Sequence, residues 1–182
     1  KKIFENIWIQ PAAGDAGGSL GAALAFWYNE LDNTRVIDKN DKMKGSYLGP
    51  KFSDEEIELQ LNKSRAIFKK YKYEDMIKLV AKELSNEKAI GWFQGSMEFG
   101  PRALGARSIL ADPRSENMQK NLNIKVKYRE SFRPFAPSIL EDEIKNWFDI
   151  DTNSPYMLMV SDIHKSKTIP MTDEQSKLFG IE

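Results

Sequence analysis

The chain has 182 residues, 41% of them apolar and 11% aromatic, with 27 basic side chains against 27 acidic ones. That is enough for one ordinary globular domain with room for part of another, and zero net charge removes any global pull toward DNA or an anionic membrane. The chain has no cysteine and a single histidine, His164, which excludes a disulfide scaffold, a thiolate zinc site, a cysteine nucleophile and a His-rich metal site built from this chain alone.

No apolar run reaches the length of a membrane span. The opening residues KKIFENIWIQP lack the apolar core of a signal peptide. The expectation is a soluble cytoplasmic protein. Ile3 to Gln10 alternates apolar and polar residues and reads as a strand. A turn follows over Pro11 to Gly18. Leu20, Ala23, Leu24, Trp27 and Leu31 then recur at helical spacing. Residues 32–51 show no period and are broken by Asn, Asp, Gly and Pro, as in a linker or irregular crossover. Ser53-Asp-Glu-Glu56 is a capping-box pattern that starts a helix to about Lys63. Glu74 to Leu84 predicts a second amphipathic helix. Short strands are expected at Ala89–Phe93 and Ser108–Ala111, with a turn at Asp112-Pro-Arg-Ser and a short helix from Glu116.

Ile124 to Arg129 alternates cleanly, with Ile124, Val126 and Tyr128 against Lys125, Lys127 and Arg129. Period two predicts a strand with one buried and one cationic face. Pro134 and Pro137 favour extended geometry at Arg133 and Ala136. A helix is expected over Glu141–Phe148, a strand over Tyr156–Val160, and a loop-like tail from Lys165. Helices mixed with strands argue for an α/β fold, with α+β left open.

The chemistry concentrates between Phe99 and Arg133. Eight basic residues (Arg102, Arg107, Arg114, Lys120, Lys125, Lys127, Arg129, Arg133) stand there against Asp112, Glu116 and Glu130. Glycines among them let backbone approach a ligand closely, and Arg and Lys suit phosphate oxygens. The pattern points to a pocket for a small phosphorylated anion. In the segment from Gly95 to Ser108, Gly105 lies between Arg102 and Arg107 and would let both heads converge. Glu98 is placed to hold one arginine through a bidentate pair. Lys125, Lys127, Arg129 and Arg133 repel one another unless water screens them or an anion sits between them. A solvated face and a nucleic-acid stripe are the other readings. The second is weakened by zero net charge and by few aromatics on the cationic side.

Gly14-Asp-Ala-Gly-Gly-Ser-Leu-Gly21 fits neither the dinucleotide fingerprint nor the P-loop. It still sets backbone N–H groups at a helix N-terminus. Asp15 would repel a phosphate there, so it reads as a metal ligand, a hydroxyl acceptor or a helix cap.

Five segments carry a family resemblance: PAAGDAGGSLGAA from Pro11, YLGP from Tyr47, MEFGPRALG from Met97, RSILADPR from Arg107 and RESFRPFAP from Arg129. In this order they resemble the carbamoyltransferases of the NodU, CmcH and TobZ kind, over nearly the whole chain. Those proteins are much longer and join a Kae-like domain of the ASKHA type to a YrdC-like domain. The resemblance implies that residues 1–31 are the strand, turn and helix ending the Kae-like domain. Residues 32–52 are then a linker, and residues 53–182 a YrdC-like domain, a mixed sheet with helices, incomplete at its C-terminus. The family's His-x-x-x-His motif and its later T-H-V-D and N-T-S-F-N segments do not occur here.

The chemistry implied by the resemblance uses ATP and carbamoyl phosphate to make carbamoyl-adenylate. The carbamoyl group then passes to a hydroxyl of a small molecule, such as a nodulation factor or an antibiotic, at an iron site in the Kae-like domain. By the same resemblance Lys127 and Arg133 are the catalytic cationic pair. Arg102 and Arg107, with Gly95 and Ser108 at the ends of their segment, bind the nucleotide and anion. Asp15 resembles the metal-ligating aspartate. The implied partners are the Kae-like remainder of the same polypeptide and small-molecule substrates. No membrane is implied, nucleic acid is disfavoured, and this segment alone is expected to hold no iron and transfer nothing. The competing class is a YrdC-like RNA- or nucleotide-binding module without transferase activity.

Overall fold

Asp15 opens the first helix, four residues earlier than the apolar spacing suggested. The reason lies in the turn before it. The computed structural model describes residues 3–5 and 7–178. In it, Gly17 N donates to Ala12 O at 2.7 Å and Gly18 N to Gly14 O at 2.9 Å. The glycine-rich turn therefore runs straight into helix α1, Asp15–Ala25, and on through a π-helical turn at Phe26–Glu30.

The strand expected at Ile3–Gln10 does not form; Asn6, within it, lies outside the described residues. Alternation marks two faces, but a strand exists only where a neighbour pairs with it. None of the described strands pairs with this one, and Ile3, Phe4, Ile7 and Trp8 remain largely exposed.

Helix α2, Asp54–Lys63, begins as its capping box requires. Ser53 Oγ accepts from Glu56 N, and Glu56 Oε2 accepts from Ser53 N at 2.8 Å. Helix α3 spans Tyr73–Ser85. Strands β1, Ile90–Phe93, and β2, Arg107–Leu110, pair antiparallel with Ile90 opposite Leu110 and Phe93 opposite Arg107. This is the one regular sheet among the described residues. The fold mixes helix and strand, as expected.

Helix α4, Met118–Asn121, runs into a π-helical turn at Leu122–Val126. This corrects the strand expected at Ile124–Arg129. Lys127 N donates to Leu122 O and Arg129 N to Asn123 O, so local turns satisfy the backbone and no neighbouring strand is needed. Ile124, Val126 and Tyr128 are exposed rather than buried on one face.

The chain divides into two compact units. One comprises Lys1–Ala136 with Pro155–Leu158, the other Pro137–Ser154 with Met159–Glu182. In the second unit a 3₁₀ turn at Glu141–Glu143 leads into helix α5, Ile144–Trp147, and a single bridge pairs Phe148 with Ile163. Tyr156–Val160 is not a strand. The tail expected as a loop contains a 3₁₀ turn at Lys165–Lys167 and helix α6, Asp173–Leu178. Lys167 lies 4.6 Å above the Trp147 ring. No helix among the described residues is long and apolar enough to cross a membrane.

The core of the first unit is small and half polar. Ala106, Met118 and Leu122 are buried together with Ser46, Glu98 and Asn123. Buried polar groups must be satisfied, and the partners of these three are the loops that carry the family motifs.

Candidate anion-binding site

Residues 94–106 connect β1 to β2 and contain most of the glycine-arginine motif. Gln94 N donates to Ala106 O at 2.9 Å, which extends the strand ladder into the loop. Inside the loop Glu98 is 7% exposed. Its Oε1 accepts from the backbone amides of Leu104, Ala106 and Arg107 at 2.7, 2.7 and 3.2 Å. Glu98 thus shapes the backbone and does not grip an arginine side chain, contrary to the expectation. A run of amides supplies what a guanidinium would have supplied. Burial pushes the Glu98 carboxyl up, but these amides together with its own outweigh burial and hold it below the usual range.

Arg107 is also engaged internally. Its Nη1 donates to Gln94 O and Ala106 O at 2.7 and 3.0 Å, and its Nη2 to Gly95 O and Pro50 O at 3.2 and 3.3 Å. Its guanidinium stacks 3.4 Å from the centre of the Phe93 ring. Ser108 Oγ accepts from Gly105 N at 2.9 Å. Gly95, with φ +53, turns the chain at the end of β1. Of the four residues expected around the nucleotide, Gly95, Arg107 and Ser108 are therefore brought together as scaffold. Arg102 is exposed on the loop they build.

Residues 44–50 brace this loop. Phe99 N donates to Ser46 O at 2.6 Å, Gly49 N to Met97 O at 2.9 Å, and Met97 N to Pro50 O at 2.9 Å. Tyr47 Oη donates to Leu104 O at 2.5 Å. A β-carbon on Gly49 would sit 2.8 Å from Met97 O, so only glycine lets the two segments approach this closely.

The turn before α1 meets the same loop. Gly100 has φ +111, and a β-carbon there would lie 2.5 Å from Ala12 Cβ. The PAAGD and FGPRALG motifs are thus in contact through a glycine. A cleft of about 140 Å³ opens where they meet, lined by Ala12, Gly14, Ser46, Phe99, Arg102 and Tyr156 among others. Tyr156 Oη donates to Asp41 Oδ2 and accepts from Gly45 N at 3.1 Å. The tyrosine bond holds the Asp41 carboxyl below its usual range, while burial, and then Asp41, push the Tyr156 hydroxyl up.

Asp15 is the first residue of α1. The N-cap is Gly14, with no side-chain cap bond, so the capping role considered for Asp15 is not seen. Among the described residues, no group of three or more His, Asp or Glu side chains converges as a metal site would require. Asp15 contributes a single carboxylate.

The remaining cations lie after α4. Lys127 ends the π-helical turn and is exposed. Arg133 pairs with Glu130 at 2.8 Å, with about half of each side chain in solvent. The Glu130 carboxyl is held low by its own amide first and by the Arg133 charge next. Arg114 is taken up by Asp112 at 2.5 Å, and its hydrogen bonds bring the Asp112 carboxyl to about 2. Arg129 Nε donates to Asn123 Oδ1 at 2.6 Å, and its guanidinium lies 4.9 Å from the Phe135 ring centre. The stripe of like charges read from the alternation is therefore divided. Arg129 is turned inward, while Lys127 and Arg133 face solvent. Asn123 and Gln119, which organise this loop, were not singled out by the sequence reading. The one available signal is a carboxamide placed between Leu122 and Ile124.

Comparison with known proteins bears on these motifs. The carbamoyltransferase C-terminus family matches residues 81–176. The chain is similar to an uncharacterized protein of Synechocystis, with 55% identity over 98% of this chain and 29% of that protein. It is 40% identical to nodulation protein NolO of Bradyrhizobium diazoefficiens over 91% of this chain and 30% of that protein. It is 35% identical to nodulation protein U of Rhizobium fredii over 86% of this chain and 24% of that protein. The chain spans about a quarter to a third of the length of the curated relatives it matches.

Proposed function

We propose, from the premise that this chain belongs to the carbamoyltransferase family and carries its C-terminal part, that it holds the phosphate-handling site of an O-carbamoyltransferase. The observation that carries this reading is the division of the cations. Arg107 and Arg129 are engaged by the chain's own backbone and side chains and Arg114 by Asp112, whereas Lys127 and Arg102 present exposed heads and Arg133, though paired with Glu130, keeps about half of its side chain in solvent. Bringing two polyanions together requires fixed positive charge. Lys127 and Arg133 take the phosphate of carbamoyl phosphate, and Arg102 takes phosphate oxygens of ATP. Water releases inorganic phosphate from carbamoyl phosphate and leaves carbamate, whose oxygen attacks the α-phosphorus of ATP and expels pyrophosphate to give carbamoyl-adenylate; these cations stabilise the charge that builds on the two departing groups. No cysteine or histidine is needed for that role, which suits this composition.

The acceptor is a hydroxyl of a small molecule, of the nodulation-factor or antibiotic type. Transfer to it takes place in a Kae-like remainder of the same polypeptide. Iron there would polarise the reacting groups. Asp15 would be one ligand, with the other donors drawn from beyond this chain's described residues. A hard or borderline divalent ion accepts a carboxylate oxygen readily.

Equilibrium titration tests the anion site. Lys127→Ala and Arg133→Ala should each weaken carbamoyl phosphate binding more than about tenfold, since a charge-assisted contact contributes about 1.5–3 kcal/mol. An RNA oligonucleotide serves as the rival probe. If the cations instead follow a nucleic-acid backbone, oligonucleotide affinity will fall steeply with salt and carbamoyl phosphate will not compete. That result would replace this reading.

A further inference from the structure

We infer that Asn123 is the positioning residue for the phosphate-binding loop, fixing Lys127 and Arg133 for the ligand and withdrawing Arg129 from it. This rests on the reading of Lys127 and Arg133 as phosphate ligands. Asn123 is 0% exposed, and every polar atom of its carboxamide is used. Nδ2 donates to Ser131 O at 3.1 Å and to Arg133 O at 2.8 Å. Oδ1 accepts from Arg129 Nε at 2.6 Å. Its backbone carbonyl accepts from Arg129 N at 3.0 Å.

One residue thus ties the loop at 129, 131 and 133. Gln119, exposed on α4, adds a second tie through Nε2 to Phe132 O at 2.9 Å and Arg133 O at 3.2 Å. The Arg133 carbonyl therefore accepts from two side-chain amides. Its backbone position is set from beneath, and its guanidinium stays half in solvent. Lys127 is held between the end of the π-helical turn and the tie at Arg129.

The chemistry calls for a carboxamide of this length. Leucine has the same branching, though more bulk, but leaves the Ser131 carbonyl and one guanidinium hydrogen without this partner and the Arg133 carbonyl with Gln119 alone. Aspartate keeps the acceptor for Arg129 but sets an oxygen against the carbonyls of Ser131 and Arg133. Only an amide points donors at the carbonyls and an acceptor at the arginine together. A fully satisfied buried network of this kind rigidifies what it holds, and a displacement of about 1 Å at a reacting centre can cost on the order of a hundredfold.

The test is calorimetric titration of the intact protein with carbamoyl phosphate, using the wild type, Asn123→Leu, Gln119→Ala, Lys127→Ala, Arg133→Ala, Arg129→Lys and the double variant Gln119→Ala/Arg133→Ala. Asn123→Leu adds no charge, so any loss of affinity comes from lost positioning. It should weaken binding about tenfold or more, and Gln119→Ala about two- to fivefold, in protein whose circular dichroism shows it folded. The double variant should bind no more weakly than Arg133→Ala, because Gln119 acts through the Arg133 position that it holds. Arg129→Lys should weaken binding less than Lys127→Ala does.

A residue that only adds stability would leave the dissociation constant of folded protein unchanged. Unchanged affinity in Asn123→Leu and Gln119→Ala, with Lys127→Ala weakened, overturns this inference and leaves the anion site standing. If Asn123→Leu does not fold, Gln119→Ala alone decides. Unchanged affinity in both Lys127→Ala and Arg133→Ala overturns the anion site and this inference together.

Discussion

Replacing Glu98 by glutamine should loosen the arginine-bearing loop by an amount that depends on pH. Three amides, of Leu104, Ala106 and Arg107, meet on Glu98 Oε1 within 3.2 Å. Glutamine keeps an oxygen there but removes its charge. Hydrogen bonds to an ionised acceptor contribute about 1.5–3 kcal/mol and neutral ones about 0.5–1.5. Because the three donors share one oxygen, the net loss is about 1–2 kcal/mol, which is roughly a 5- to 30-fold increase in local opening.

Amide hydrogen exchange at Leu104, Ala106 and Arg107 measures that opening residue by residue. The folded Glu98 carboxyl titrates below its usual value because the amides outweigh burial. A depressed folded value means that the stabilisation is fully present above the unfolded value, about 4.3, and is lost as pH falls through the folded one. The gap in protection between wild type and Glu98→Gln should therefore be full at neutral pH and close in acid below about pH 4. Equal protection in the two proteins at pH 7, or a gap that does not change with pH, would refute the role given to this carboxylate.

Two further predictions concern the meeting of the glycine motifs. Gly100→Ala combines a positive φ with a β-carbon 2.5 Å from Ala12 Cβ. Overpacking costs about 1–3 kcal/mol, so the melting temperature should fall by several degrees; an unchanged value would mean the motifs do not meet this closely. Asp15→Asn should cost less than about 1 kcal/mol of stability, the value of a charge at a helix N-terminus. In the intact protein it should nevertheless abolish bound iron and final carbamoyl transfer while pyrophosphate release persists. Retention of iron and transfer would remove Asp15 from the metal site.

Local chemistry made some elements legible and not others. Ser53 and Glu56 announce helix α2 because a capping box closes within four residues and needs nothing from afar. The apolar run before the glycine motif announces β1 for a similar reason, and β2 lies within reach across its loop. Ile3–Gln10 and Ile124–Arg129 failed as strands because period two specifies faces, not partners. At Ile124–Arg129 a continuing helix and the carbonyl of Asn123 took the backbone donors instead.

The site followed the same rule. Positions of the basic residues were plain from composition, but which were already engaged was not. Glu98 was read as an arginine clamp because charge complementarity is visible in sequence, whereas three amides folding back on one carboxylate are not. Asn123 was missed because a buried carboxamide carries no charge and no motif.

If Lys127 and Arg133 serve carbamoyl phosphate in an ATP-dependent activation step, that step needs both side chains. Pyrophosphate release from ATP by the intact protein, with and without carbamoyl phosphate, tests it most directly. Release should require carbamoyl phosphate and fall more than about tenfold in Lys127→Ala and in Arg133→Ala, with the fold intact. Release that ignores carbamoyl phosphate, or that survives both substitutions undiminished, would contradict it.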